Sequence, residues 1–164
     1  DGKEFKVTDK ITQFSKFIAT TVEDSNMVDD HIPMDISSEL LQKILEFFQH
    51  FTYDLSKVKT IQKPLTSSNY AHITDEWCEG FFKSLTEDQV NEIIMAGSYL
   101  QSPVLFDYSC AYLACPFKTI SIDELRQKYD IAEELTPEIE EQIKKDYPYL
   151  FKDLLPQQTG NDKQ

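Results

Sequence analysis

The sequence predicts an α+β fold: a small sheet with helices, followed by a C-terminal helical extension. Three observations carry that expectation. Short alternating or proline-containing apolar runs near the start read as strands. Apolar residues recurring every three to four positions over much of the remaining chain read as amphipathic helices. The last third, residues 108–151, holds more apolar surface than a terminal appendage needs. There Leu125, Tyr129, Ile131, Leu135, Ile139, Ile143, Tyr147 and Leu150 recur at mostly helical spacing among charged residues. Such a tail either folds back on its own domain or offers its stripe to a partner.

Taken in order, Asp1-Gly2 is a hairpin-turn signal, and Phe5 and Val7 alternate with Glu4 and Lys6 as a second hairpin arm. Thr8-Asp9 caps a helix carrying Ile11, Phe14, Ile18 and Val22. Residues 23–30 read as an acidic loop. His31-Ile32-Pro33-Met34 reads as a short strand that Pro33 confines to a strand end or sheet edge. Residues 35–38 start a helix with Leu40, Leu41, Ile44, Leu45, Phe48 and Phe51 on one face and Glu39 and Lys43 opposite. Over residues 52–74 periodicity fails. Lysines, serines, Pro64 and Asn69 there predict a long mobile loop.

Asp75-Glu76-Trp77 restores order, with Phe81 and Phe82 on a short helix. Thr86-x-x-Gln89 is a capping box for a helix bearing Val90, Ile93, Ile94 and Leu100. Pro103 suits the first turn of the next helix, 104–115, which is apolar on nearly every side and is expected to be sandwiched in the core until Pro116 ends it. Ser121-x-x-Glu124 is a second capping box, Thr136-Pro137 opens the last helix, and Pro148 closes it. Residues 152–164 are predicted to be a disordered tail.

A chain of 164 residues suits one domain, or one domain with a helical extension. Hydrophobic residues at 40% and aromatics at 12% can build a core, which argues against global disorder. A net charge of −13 makes nucleic acid and anionic membranes poor partners and a basic protein a better one, although acidity alone more often just secures solubility. Three cysteines without a disulfide-framework spacing suit a reducing cytoplasm or nucleus. No apolar run approaches the ~20 residues needed to span a bilayer, and no signal-peptide core is present. The sequence starts at Asp1 without methionine, so residues preceding it are left open.

Catalytic patterns are absent from the sequence. His31, His50 and His72 occur singly. Cys110 and Cys115 sit on an apolar helix and read as inert core thiols. A zinc ion shared by His72 and Cys78 is disfavoured because no CxxC accompanies them. With four glycines there is no P-loop and no dinucleotide fingerprint, and neither a cofactor nor a metal is expected. Acidic turns at Glu133-Glu134 and Glu138 to Glu141 either steer a basic partner or place charge favourably at helix starts. Tyr147-Pro148-Tyr149-Leu150-Phe151 either packs back on the domain or anchors a partner.

The order of elements resembles the BTB/POZ-fold S-phase-kinase-associated adaptor family of SCF (cullin–RING) ubiquitin ligases. Asp1 to Val7 is similar to that family's first hairpin, Ile32-Pro33-Met34 to its short strand, and Asp75-Glu76-Trp77-Cys78 with Phe81 to the segment after its variable loop. Glu92-Ile93-Ile94-Met95-Ala96-Gly97-Ser98-Tyr99-Leu100 resembles the helix and turn that face the cullin. Ser109 to Thr136 resembles the F-box-binding helices without a gap, and Thr136-Pro137-Glu138 with Glu140-Glu141-Gln142-Ile143 resembles the last helix. Four departures mark a divergent member: Ser98 for the usual asparagine, Pro116 within a helix, Thr119-Ile120 for a glycine turn, and Tyr149 for a terminal tryptophan.

The resemblance implies a BTB/POZ domain over 1–116, F-box-binding helices over 117–151, and a non-enzymatic adaptor bridging a cullin to F-box substrate receptors. It implies cullin contact through Ser98 and Tyr99. It implies F-box contact through Leu113, Phe117, Leu125, Tyr129, Ile131, Leu135, Ile143 and Tyr149. Left unpartnered, such a C-terminal segment is expected either to be mobile or to self-associate. Two other classes stay open: a BTB scaffold that homodimerises or acts as an elongin C-like adaptor elsewhere, and an enzyme of unknown type.

Overall fold

A computed structural model describes residues 2–24, 31–131 and 136–148. They fall in two compact units, residues 1–121 and 122–164. The first unit holds helices α1 (Lys16–Asp24), α2 (Ser38–His50), α3 (Tyr70–Ile73), α4 (Glu76–Lys83), α5 (Glu87–Tyr99) and α6 (Pro103–Ala114). Short 3-10 turns sit at Asp9–Gln13, Leu55–Lys57 and Cys115–Lys118. The second unit holds α7 (Ile122–Lys128) and α8 (Pro137–Asp146).

No strand occurs among the described residues, which corrects the expected α+β class with a small sheet: they are all-α. Phe5–Val7 and Ile32–Met34 carry no regular secondary structure, and no backbone hydrogen bond pairs one with the other. His31 Nδ1 and Glu4 Oε1 approach to 3.9 Å, so the two segments meet through side chains. Alternation in the sequence describes a face; a strand also needs a partner to take its N–H and C=O groups.

The helix starts follow from local chemistry. Ser37 caps α2 by accepting the Leu40 N–H, and Asp75 caps α4 by accepting the Cys78 N–H. Thr86 and Gln89 close the expected capping box, at 3.2 and 3.0 Å. Ser102 caps α6 with Pro103 in its first turn. Pro116 lies in the 3-10 turn that follows α6, and its carbonyl accepts the Thr119 and Ile120 N–H groups. The single helix expected from Thr8 is broken in two. Ser15 intervenes, donating its hydroxyl to the Leu100 carbonyl at 2.7 Å and accepting the Ile18 N–H at 3.1 Å. The Lys16 and Phe17 N–H groups of α1 then bond to the Gln101 and Leu100 carbonyls.

Phe47 is the centre of the core. Its ring lies 5.4–6.1 Å from those of Phe48, Phe51, Phe81, Phe82 and Tyr108. Val90 and Ile93 of α5 and Leu105 of α6 are fully buried in the same cluster. Residues 52–74, read as loop from their composition, contain the Leu55–Lys57 turn and α3, and bury Ile61 and Tyr70. The Tyr108 hydroxyl fastens this segment, accepting the Lys59 N–H and donating to the Lys59 carbonyl, both at 3.1 Å. The Tyr70 hydroxyl donates to the Tyr108 carbonyl at 3.0 Å. Helix α6 buries Leu105, Tyr108, Ser109 and Ala111 but leaves Phe106 exposed, so it is covered on most sides rather than all.

Helices α5 and α6 touch at Gly97. A Cβ built there meets Phe106 N at 3.0 Å and Phe106 Cα at 3.2 Å. Helix propensity alone favours alanine over glycine by about 1 kcal/mol. Here the obstruction is backbone, so Gly97→Ala is expected to destabilise the first unit by about 1–3 kcal/mol, the cost of overpacking. Urea unfolding of the two proteins checks the sign, and a more stable variant would refute the close contact.

Candidate protein-docking surfaces

In the first unit, the cullin-facing expectation rests on the end of α5. Ser98 and Tyr99 are both exposed there. The Tyr99 ring packs 5.0 Å from that of Phe17 in α1, and α1 is itself bonded to the Leu100 and Gln101 carbonyls. One face of the phenol is thus held while the rest faces solvent. Met95, one turn earlier, is 71% exposed, the same figure as Ile122 and the highest among the exposed large hydrophobics. It extends the same apolar strip, since residues four apart lie on one helix face. The sequence reading placed Met95 inside the resembling motif but did not single it out. Its spacing from Tyr99 was the available signal.

Of the residues expected to meet an F-box, Leu113 is half-buried against the core and Phe117 is exposed in the 3-10 turn after α6. Cys115, two residues before Phe117, is buried, and Lys118 donates to the Leu65 carbonyl at 2.7 Å. The turn that carries Phe117 is therefore pinned on both sides.

The second unit has a different character. None of the described residues of α7 and α8 is buried. Leu125 and Ile143 are half-exposed; Tyr129 and Ile131 are exposed. At the end of α7, Tyr129 N–H bonds to the Leu125 carbonyl and Ile131 N–H to the Arg126 carbonyl, with Asp130 in the left-handed region at φ 50°. That turn sets the directions of both apolar side chains. Thr136 caps α8 through the Ile139 N–H, with Pro137 in the first turn. Lys144 and Glu140 pair one turn apart at 2.6 Å, a contact that a solvated helix face commonly carries. Ile122, Ile139 and Tyr147 add exposed apolar surface beyond the expected set, and Ile122 had gone unnoticed although it stands three residues before Leu125. Leu135 and Tyr149, the remaining expected contacts, lie outside the described residues.

The thiols sit apart from these surfaces. Cys78 and Cys115 are buried and Cys110 is half-buried. Burial pushes all three thiols up, and the Asp75 carboxylate adds to that effect on Cys78. Asp75 accepts a hydrogen bond in the first turn of α4 and lies 3.2 Å from His50. Cys78 thus neighbours His50 and Asp75, and the three form a group that does not include the His72 considered from sequence.

Two family models match this chain. One, described as "Skp1 family, tetramerisation domain", covers residues 1–52, and the other, "Skp1 family, dimerisation domain", covers residues 103–149. The chain is similar to the S-phase kinase-associated protein 1 homolog of Tetrahymena thermophila, at 33% identity over 89% of this chain and 87% of that protein. It is similar to suppressor of kinetochore protein 1 of Schizosaccharomyces pombe, at 31% over 89% of this chain and 90% of that one. It is also similar to E3 ubiquitin ligase complex SCF subunit sconC of Arthroderma benhamiae, at 28% over 89% and 88%.

Opening free energy tracks local burial. The amides of Ile122–Lys128 and Pro137–Asp146 are therefore expected to exchange with deuterium faster than those of α5 and α6 in the isolated protein. Equal protection of the four helices, read by mass spectrometry, would contradict this.

Proposed function

The chain belongs to the Skp1 family, and from that premise we propose that it is a non-enzymatic adaptor of an SCF ubiquitin ligase, bridging a cullin to F-box substrate receptors. The observation that carries this reading is the second unit. It has two capped or well-terminated helices whose described side chains include none that is buried and several large apolar ones that are exposed. Apolar side chains on a charged helix gain free energy only when something covers them, and large aromatics are common interface anchors. A relative named as an SCF subunit supports the same assembly.

F-box helices contact Leu113 and Phe117 in the first unit and Leu125, Tyr129, Ile131 and Ile143 in the second. The resemblance alone assigns Leu135 and Tyr149 to F-box contact. The cullin N-terminal domain meets Ser98 and Tyr99, with Met95 beside them. An interface of standard size buries ~1,600 Å², and a few anchors supply most of its energy. The net charge of −13 steers a basic partner surface toward this chain. Ubiquitin transfer takes place elsewhere in the assembly, and the adaptor works in cytoplasm and nucleus.

Self-association is the second reading, favoured by the descriptions of the matched family models as tetramerisation and dimerisation domains. The two readings separate on partner specificity. Tyr129→Ala is expected to weaken binding to an F-box polypeptide by about 2 kcal/mol or more, the hot-spot range, and to leave binding to a cullin N-terminal domain unchanged. Tyr99→Ala is expected to do the reverse. Calorimetric titration of both variants against both ligands measures this. An unaltered F-box affinity in the first variant, or an unaltered cullin affinity in the second, removes the corresponding surface.

A further inference from the structure

The end of α2 and the start of α4 bring together an imidazole, a carboxylate and a thiol that the adaptor reading leaves unused. His50 is the last residue of α2, Asp75 is the N-cap of α4, and Cys78 lies in its first turn. One ligating atom from each lies within 4.8 Å of the other two. His50 Nε2 and Asp75 Oδ2 are 3.2 Å apart.

The three groups are held in place. Asp75 Oδ1 accepts the Cys78 N–H at 2.8 Å, so the carboxylate is anchored by one oxygen and turns the other to His50. The His50 ring stacks on Trp77 at 4.0 Å and 5°, and meets the Phe51 ring edge-on at 4.8 Å. Cys78 is fully buried, whereas the His50 and Asp75 side chains are 24% and 36% exposed. An ion arriving from solvent passes the imidazole and the carboxylate and finds sulfur beneath them.

We propose that His50, Asp75 and Cys78 form a binding site for a borderline-soft divalent metal ion of the zinc class, with water completing the coordination. Nitrogen, oxygen and sulfur donors suit Zn²⁺, and three protein ligands with an open fourth position are an established arrangement for it. Calcium and magnesium call for an all-oxygen shell that these side chains cannot supply. Zinc bond lengths of about 2.0–2.3 Å place tetrahedral ligand atoms roughly 3.3–3.7 Å apart; the His50–Asp75 pair is already at that spacing, and the sulfur needs to close by at most about 1–1.5 Å. A His–Asp hydrogen bond alone does not require a buried sulfur within reach, and a metal ion uses all three. The bound ion would close the chain between His50 and Asp75, 25 residues apart, and tie the intervening segment to α4.

Trp77 is the single tryptophan, and its contact with His50 makes it a reporter for this site. The full chain is titrated with Co²⁺ alone, following tryptophan emission and near-ultraviolet absorbance. The expected result is saturable quenching at one ion per chain, together with a thiolate-to-cobalt charge-transfer band, both reversed by Zn²⁺. Cys78→Ser is expected to abolish the band, and His50→Gln to weaken Co²⁺ binding about tenfold or more with an unchanged far-ultraviolet circular dichroism spectrum. His72→Gln is expected to change neither signal. A wild-type chain without the band overturns the site, as does tight binding that persists in His50→Gln. The latter marks an adventitious ion held elsewhere. The His50 variant and the wild-type band decide the question even where Cys78→Ser does not fold. Neither readout involves an F-box or cullin ligand, so this site and the adaptor role fail separately.

Discussion

The first unit depends on how closely α5 can approach α6. Gly97 lets the Phe106 backbone come within what would be contact of a side chain, and the chain then turns through Leu100 to Ser102 into the next helix. Two carbonyls exposed by that turn, Leu100 and Gln101, take the Ser15 hydroxyl and the first N–H groups of α1. Helix packing, the break before α1 and the support of Tyr99 by Phe17 are therefore settled at one corner of the molecule. An exposed aromatic held this way would lose little further ordering entropy if it were covered, because much of that cost has been met in folding.

The helices were largely legible in the sequence because their signals are local. Thr86 with Gln89, Pro103, and Thr136 with Pro137 are local signals of this kind, and each opens a helix. Features that depend on distant partners were not legible. The strand expected at Phe5–Val7 had the right alternation but no ladder partner among the described residues. Phe47 lay off the single stripe assigned to α2, although α2 is buried on more than one side and Phe47 is its most central residue. The order within residues 52–74 comes from Tyr108, 49 residues further along than Lys59.

The candidate sites divide in the same way. Tyr99 and Tyr129 could be singled out because a resemblance placed them and helical spacing put apolar neighbours beside them. Met95 and Ile122 followed the same spacing and were passed over. The His50, Asp75 and Cys78 group has no spacing signature, since its first two members are 25 residues apart and meet only through the packing of α2 against α4. Charge shows a further limit. The acidic excess is readable at once, but it fixes a class of partner surface and not a place on this chain.

The Tyr108 hydroxyl stands in for a neighbouring strand residue. It both receives from and donates to the main chain of Lys59, the two bonds that a neighbouring strand residue would otherwise exchange. A clamp of this kind is blind to side-chain identity. Any residue that keeps its N–H can occupy the position, so the surrounding segment is free to drift in sequence and in surface chemistry without coming loose. Substitution at Lys59 can change the surface there and leave both main-chain bonds in place.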